Sequence, residues 1–102
     1  MNDRIRWLKN LAVARTLGYK VILVPTSALK DYAAMNDEAG RKIGFRYKGK
    51  KLPDKTILID RNMSVKTKLR DLKHEIIEMN LMEKRHMKYW PAHLIATRRE
   101  NK

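Results

Sequence analysis

The stretch VKTKLRDLKHEIIEMNLMEKR, residues 65–85, decides the fold. Val65, Leu69, Leu72, Ile76 and Met79 recur at steps of three and four, the spacing that lines apolar side chains along one stripe of an α-helix. Ser64 stands before the run and can cap it. The pattern predicts a long helix from Val65 to about Arg85, with Asp71, His74, Glu75 and Glu78 away from the buried stripe. Before it, Thr56-Ile57-Leu58-Ile59-Asp60 reads as a strand. After it, the chain turns at His86-Met87, and Tyr89 to Arg99 reads as a last helix. Pro91 falls in its first turn, where a missing N–H is tolerated.

Towards the N-terminus, Asp3 to Leu17 reads as an amphipathic helix with Ile5, Leu8, Leu11 and Ala12 on one side, ended by Gly18. Val21 to Val24 is a short apolar strand stopped by Pro25. Thr26 or Ser27 can cap a second helix running to about Glu38, with Leu29, Tyr32 and Ala33 inward and Gly40 closing it. Ile43 to Tyr47 alternates apolar and polar side chains as a half-buried strand does, and a turn over 48–55 leads to Thr56–Asp60 as its antiparallel partner. The order helix, strand, helix, hairpin, helix, helix predicts one α+β domain over the 102 residues, with a small antiparallel or mixed sheet, an active-site helix and a C-terminal helix.

With no cysteine, disulfides, thiolate catalysis and Cys-ligated metals are excluded. Any metal must be held by His, Asp or Glu, and the chain has three His. No apolar run approaches the roughly 20 residues that span a bilayer, and the first residues lack the apolar stretch of a signal peptide, so a cytoplasmic protein without membrane contact is expected. Lys and Arg number 24 against 11 Asp and Glu, a formal net charge of +13. Such a surplus attracts polyanions without specifying one. Arg41, Lys42, Arg46, Lys48, Lys50 and Lys51 cluster around the expected hairpin, and Arg98, Arg99 and Lys102 near the end. Nucleic acid is therefore one expected partner.

His74 and Glu78 are four residues apart, so on a helix both point the same way and can grip one metal ion. His93 follows Glu78 by fifteen residues on the next helix, and an antiparallel return of that length can bring it over the metal. Two His and one Glu form the ligand set of thermolysin-like zinc sites. Glu75 sits beside that pair, where the Glu of an HExxH metallopeptidase takes a proton from the attacking water and passes it to the leaving amine. His86 is the rival third ligand, although its spacing from His74 rotates it off the ligand face. Tyr89, four residues before His93, can stabilise an oxyanion or belong to the core; Asp71, near His74 in sequence, can orient it or face solvent. Trp90, Pro91, Ala92, Leu94 and Ile95 make an apolar neighbourhood for His93.

The strand Thr56 to Asp60, the helix with His74-Glu75-x-x-Glu78 and the segment Tyr89-Trp90-Pro91-Ala92-His93 together resemble the minimal zincin, minigluzincin-like metallopeptidase scaffold, over roughly Ile43 to Arg99. The resemblance implies a zinc-dependent peptidase acting on peptides or proteins, with His74 as ligand, Glu75 as base, and the strand before the active-site helix holding substrate by backbone pairing. The chain departs from the family pattern in order: Glu78 stands where the family has His, and His93 where it has Glu. The alternative expectation is a basic nucleic-acid-binding protein whose metal site is structural or vestigial.

Overall fold

A computed structural model describes residues 2–100. Met1, Asn101 and Lys102 lie outside the described residues, and with them the Lys102 end of the basic C-terminal cluster. The elements in chain order are α1 (Asp3–Thr16), β1 (Lys20–Val24), a 3-10 turn (Thr26–Leu29), β2 (Ala34–Asn36), α2 (Asp37–Ile43), β3 (Thr56–Asp60), α3 (Val65–Lys84) and α4 (Tyr89–Arg99). The fold is α+β with a small mixed sheet of order β1-β3-β2. β3 runs parallel to β1 and antiparallel to β2.

β3 is buried along its whole length because both its edges are paired and both its faces are covered. Its side chains alternate between two cores. Ile57 and Ile59 pack with Leu72, Ile76 and Met79 of α3 and Ala14 of α1. Leu58 packs on the other face with Val24, Leu29, Met35, Phe45 and Leu52. The apolar stripe of α3 thus meets the sheet as its periodicity predicts. A third cluster, Leu81, Met82 and Ala92, fastens the end of α3 to α4. The Ser64 hydroxyl caps α3 by accepting from the Thr67 amide at 3.2 Å.

The chain between β1 and β3 differs from the sequence expectation. No helix runs from Thr26 to Glu38: the 3-10 turn ends at Lys30, whose φ of +57° breaks helical continuation. Tyr32 and Ala33, expected inward, are exposed, and the segment after them adds a strand to β3 by pairing Met35 with Leu58 and Asn36 with Ile57. A helix then starts at Asp37, where Asn36 caps it by accepting from the Ala39 amide at 2.8 Å. Gly40, expected to close a helix, lies inside α2, packed so that a Cβ there would just touch Phe45, Leu52 and Met35. The terminator is Gly44, at φ +74°. The strand expected over Ile43–Tyr47 does not form, because Ile43 belongs to α2 and Phe45 turns into the core. Only an isolated bridge, Tyr47 with Lys50, remains of the hairpin.

The phase of α1 also differs. Ile5 and Leu8 are exposed, and the inward side is Trp7, Leu11 and Ala14. Both sets fit helical spacing, and the larger apolar area of Trp7 selects the second.

Candidate metal centre

α3 is buried on more than its apolar stripe. Asp71, His74, Glu75 and Glu78, which its pattern places away from the apolar stripe, are all buried beneath β2, α2 and α4. Buried carboxylates and imidazoles require partners, and here His74 and Glu78 meet each other while Asn36, Arg70, His93 and Glu100 supply the remaining contacts.

His74 Nε2 lies 3.0 Å from Glu78 Oε2 and 3.2 Å from His93 Nδ1, and His93 Nδ1 lies 2.8 Å from Glu78 Oε2. Three atoms of kinds that can ligate a metal therefore form a nearly equilateral triangle. A tetrahedral zinc with bonds of about 2.0–2.1 Å separates its ligand atoms by roughly 3.3 Å. Opening the triangle by a few tenths of an ångström would admit such an ion. The group His74, Glu78 and His93 can hold a metal ion. His86 is not part of it: it sits exposed in the turn between α3 and α4, at φ +54°.

The surroundings fix how these atoms point. His74 Nδ1 lies 2.7 Å from Glu100 Oε2, just past the end of α4. Donation from Nδ1 to that carboxylate directs Nε2 inward, the usual support of a ligating imidazole. Asp71 has no hydrogen bond to His74; its carboxylate contacts Arg70 at 3.5 Å and lines the cleft, and its pKa is raised by burial. On the other side the Asn36 amide donates to Glu78 Oε1 at 2.9 Å and to Glu75 Oε1 at 3.2 Å. It thereby holds both carboxylates and leaves Glu78 Oε2 for the triangle.

Charge in the cluster is finely opposed. Burial disfavours a charged His74, but Glu78, Glu75 and Glu100 outweigh it and push the imidazole up to about 9. Burial also disfavours a charged Glu78, yet hydrogen bonds from His74 and His93 hold its pKa below the ordinary carboxylate range. Glu75 is pushed up to about 8, first by burial and then by neighbouring Glu78. Its Oε2 stands 3.8 Å from His74 Nε2, beside the triangle and outside it. Two imidazole nitrogens and one carboxylate oxygen converge on one point. A cation at that point would use three inward lone pairs at once, so the donor set fits a divalent metal.

The triangle opens into a cleft of about 260 Å³, walled by Ala34 and Met35 of β2, Tyr89, and the acids Asp71, Glu75, Glu78 and Glu100. Tyr89 lies against His93, ring centroids 5.4 Å apart, so it shares the site's face and not only the core. Burial and the Glu78 and Glu75 charges raise its hydroxyl to about 12, so it stays protonated. The apolar neighbourhood expected around His93 is only partly buried: Ala92 is inside, while Trp90 and Leu94 are 66% and 57% exposed. The strand that the resemblance assigns to substrate pairing, Thr56–Asp60, has no free edge, since it pairs on both sides. The edge strand beside the cleft is β2.

Sequence reasoning brought His74, Glu75, Glu78 and His93 together and missed Asn36 and Glu100. The Asn36-Asp37-Glu38 run carried a usable signal, a cap followed by an acidic first turn. Glu100 carried none, because its role depends on how α4 lies on α3. No family model matches the chain, and comparisons with curated proteins and with solved structures found no match.

Proposed function

We propose that the chain is a zinc-dependent hydrolase of peptide bonds, with His74, Glu78 and His93 as ligands and Glu75 as general base. The observation that carries this reading is the triangle of 3.0, 3.2 and 2.8 Å with one side open to a cleft. Structural zinc sites close all four positions with protein atoms, whereas catalytic ones leave one for water or substrate. Zinc bound there would supply Lewis acidity, acidifying a water and polarising a carbonyl.

The chain's own groups have consistent roles in such a reaction. Glu75 is buried next to the triangle without belonging to it, and a cation bound there would oppose the burial and the Glu78 charge that hold its carboxyl at about 8, leaving it ionised to take a proton from the attacking water and return it to the leaving amine. A metal-binding site without chemistry has no need of that second buried carboxylate. The protonated Tyr89 hydroxyl can donate to the oxygen that gains charge. The free edge of β2 can pair with an extended peptide across the cleft.

The test uses untagged protein loaded with zinc. Mass spectrometry should find one zinc per chain, and a peptide digest by wild type and Glu75→Gln should show hydrolysis about 10²-fold or more slower in the variant. Equal cleavage by the two would remove Glu75 as base. No cleavage by either, with zinc bound in both, would leave a metal-stabilised binding domain.

A second reading, nucleic-acid binding, draws on the +13 charge and on Trp90, 66% exposed beside Lys42 and Lys88. An exposed indole flanked by cations is a stacking platform for unpaired bases. Titration with single-stranded and duplex DNA should then give affinities that fall steeply with salt; no binding at low salt would discard it.

A further inference from the structure

A second groove adjoins the metal cleft. Arg6 of α1 and Lys66, Thr67, Arg70 and Lys73 of α3 wall a space of about 270 Å³. Among the described residues, Glu100 is the sole acid in its walls, and its carboxylate is engaged by His74 at 2.7 Å. Arg70 and Glu100 line both spaces, so the groove abuts the cleft across these two side chains. Lys66, Arg70 and His74 follow one another at steps of four along one line of α3. At 1.5 Å per residue, Arg70 stands about 6 Å and Lys66 about 12 Å from the metal ligand along the helix axis.

We infer that this groove recognises an acidic side chain of a peptide substrate, about two to four residues from the bond presented to the metal, since an extended chain advances about 3.3 Å per residue. The inference rests on the peptidase reading above. Charge on the two sides of Arg70 separates a peptide from a nucleic acid. The metal cleft sets four acids, Asp71, Glu75, Glu78 and Glu100, against Arg70, so even with a divalent ion bound it suits a neutral reacting group better than an anionic one. A nucleic-acid strand carries a phosphate at every nucleotide and would force one against those carboxylates. A peptide can place a neutral amide at the metal and a carboxylate one groove away.

The experiment compares zinc-loaded wild type with Arg6→Glu/Lys66→Glu, both altered residues being exposed. Labelled peptides carry either neutral residues or one Glu placed two, three or four residues to either side of the central bond. Wild type should cut an acidic peptide in preference to the neutral one, as a ratio of kcat/KM, and the double reversal should lower that ratio about tenfold or more. Arg6→Gln/Lys66→Gln should fall between, and added salt should shrink the preference. Fluorescence polarisation with the same peptides gives a readout independent of cleavage. Should wild type cut nothing, the peptidase reading fails while polarisation still decides the groove: tighter binding of an acidic peptide, lost on reversal, upholds it. Equal affinity for acidic and neutral peptides overturns it, and so does displacement of the acidic peptide by an oligothymidylate that binds more tightly.

Discussion

The two faces of α3 are both buried, but by opposite means. Leu72, Ile76 and Met79 press on Ile57 and Ile59 and need nothing beyond shape and dry surface. His74, Glu75 and Glu78, one turn round the same helix, are buried only because Asn36, His93 and Glu100 arrive from three other places in the chain. The apolar face is non-directional and tolerates small errors of geometry. The polar face is directional and its parts are mutually dependent, which is the condition under which a buried site can hold a charge that water would otherwise hold. The first face should set the larger part of the fold's stability whether or not metal is present, and the second should set how that stability responds to metal.

The largest effect is expected from removing His74. With free zinc at 100 times the Kd, binding should add about 2.7 kcal/mol to the stability of wild type. His74→Ala should gain nothing from zinc in the same denaturant melts, and its zinc stoichiometry should fall to zero. Because metal must displace protons from a histidine whose pKa is raised, zinc affinity in wild type should rise with pH through the neutral range. An undiminished zinc response in His74→Ala would place the metal elsewhere.

Leu72→Ala, on the other face, should cost about 2–5 kcal/mol, because Leu72 is fully buried and its loss leaves a cavity under the sheet. That cost should be the same with and without zinc, and the zinc increment should survive. A cost that changes with zinc would show that the two faces are coupled and that the division drawn between them is wrong.

Glu100→Ala acts at the edge of the site. It removes the acceptor for His74 Nδ1 and leaves the three ligands intact, so zinc affinity should fall by about 10–100-fold in competition with a chelating dye. An unchanged affinity would mean that the imidazole is held by the triangle alone. Asn36→Ala removes the α2 cap together with the amide that Glu75 and Glu78 share, and should cost about 1–3 kcal/mol, read as a drop in melting midpoint. Asn36→Asp keeps the cap but adds charge beside Glu75 and Glu78, so it should be the worse of the two in metal-free protein and recover when zinc is added.

The C-terminal half was legible in the sequence to a degree that the region between β1 and β3 was not. For α3, β3 and α4, hydrophobic period, cap and boundary agree with one another: the stripe of Leu72, Ile76 and Met79, the Ser64 cap and the position of Pro91 all demand one structure. In 26–52 the local signals conflict. Thr26, Ser27 and Leu29 begin a helical turn that Lys30 ends, and Ala34-Met35-Asn36 has no strong strand preference. That segment is a strand because β3 offers it an unpaired edge, and a backbone edge is invisible in a pattern of side chains.

The site divides in the same way. The spacing of His74 and Glu78 determines by itself that both side chains share a helix face, since four residues make just over one turn. The presence of His93 near them, of Asn36 beneath them and of Glu100 behind them was decided by how α4 and β2 lie on α3. The helical period places side chains only relative to their own axis. Where two axes cross is set by packing of the surfaces between them, here Leu81 and Met82 against Ala92, and that packing turns a common helical motif into three atoms aimed at one point.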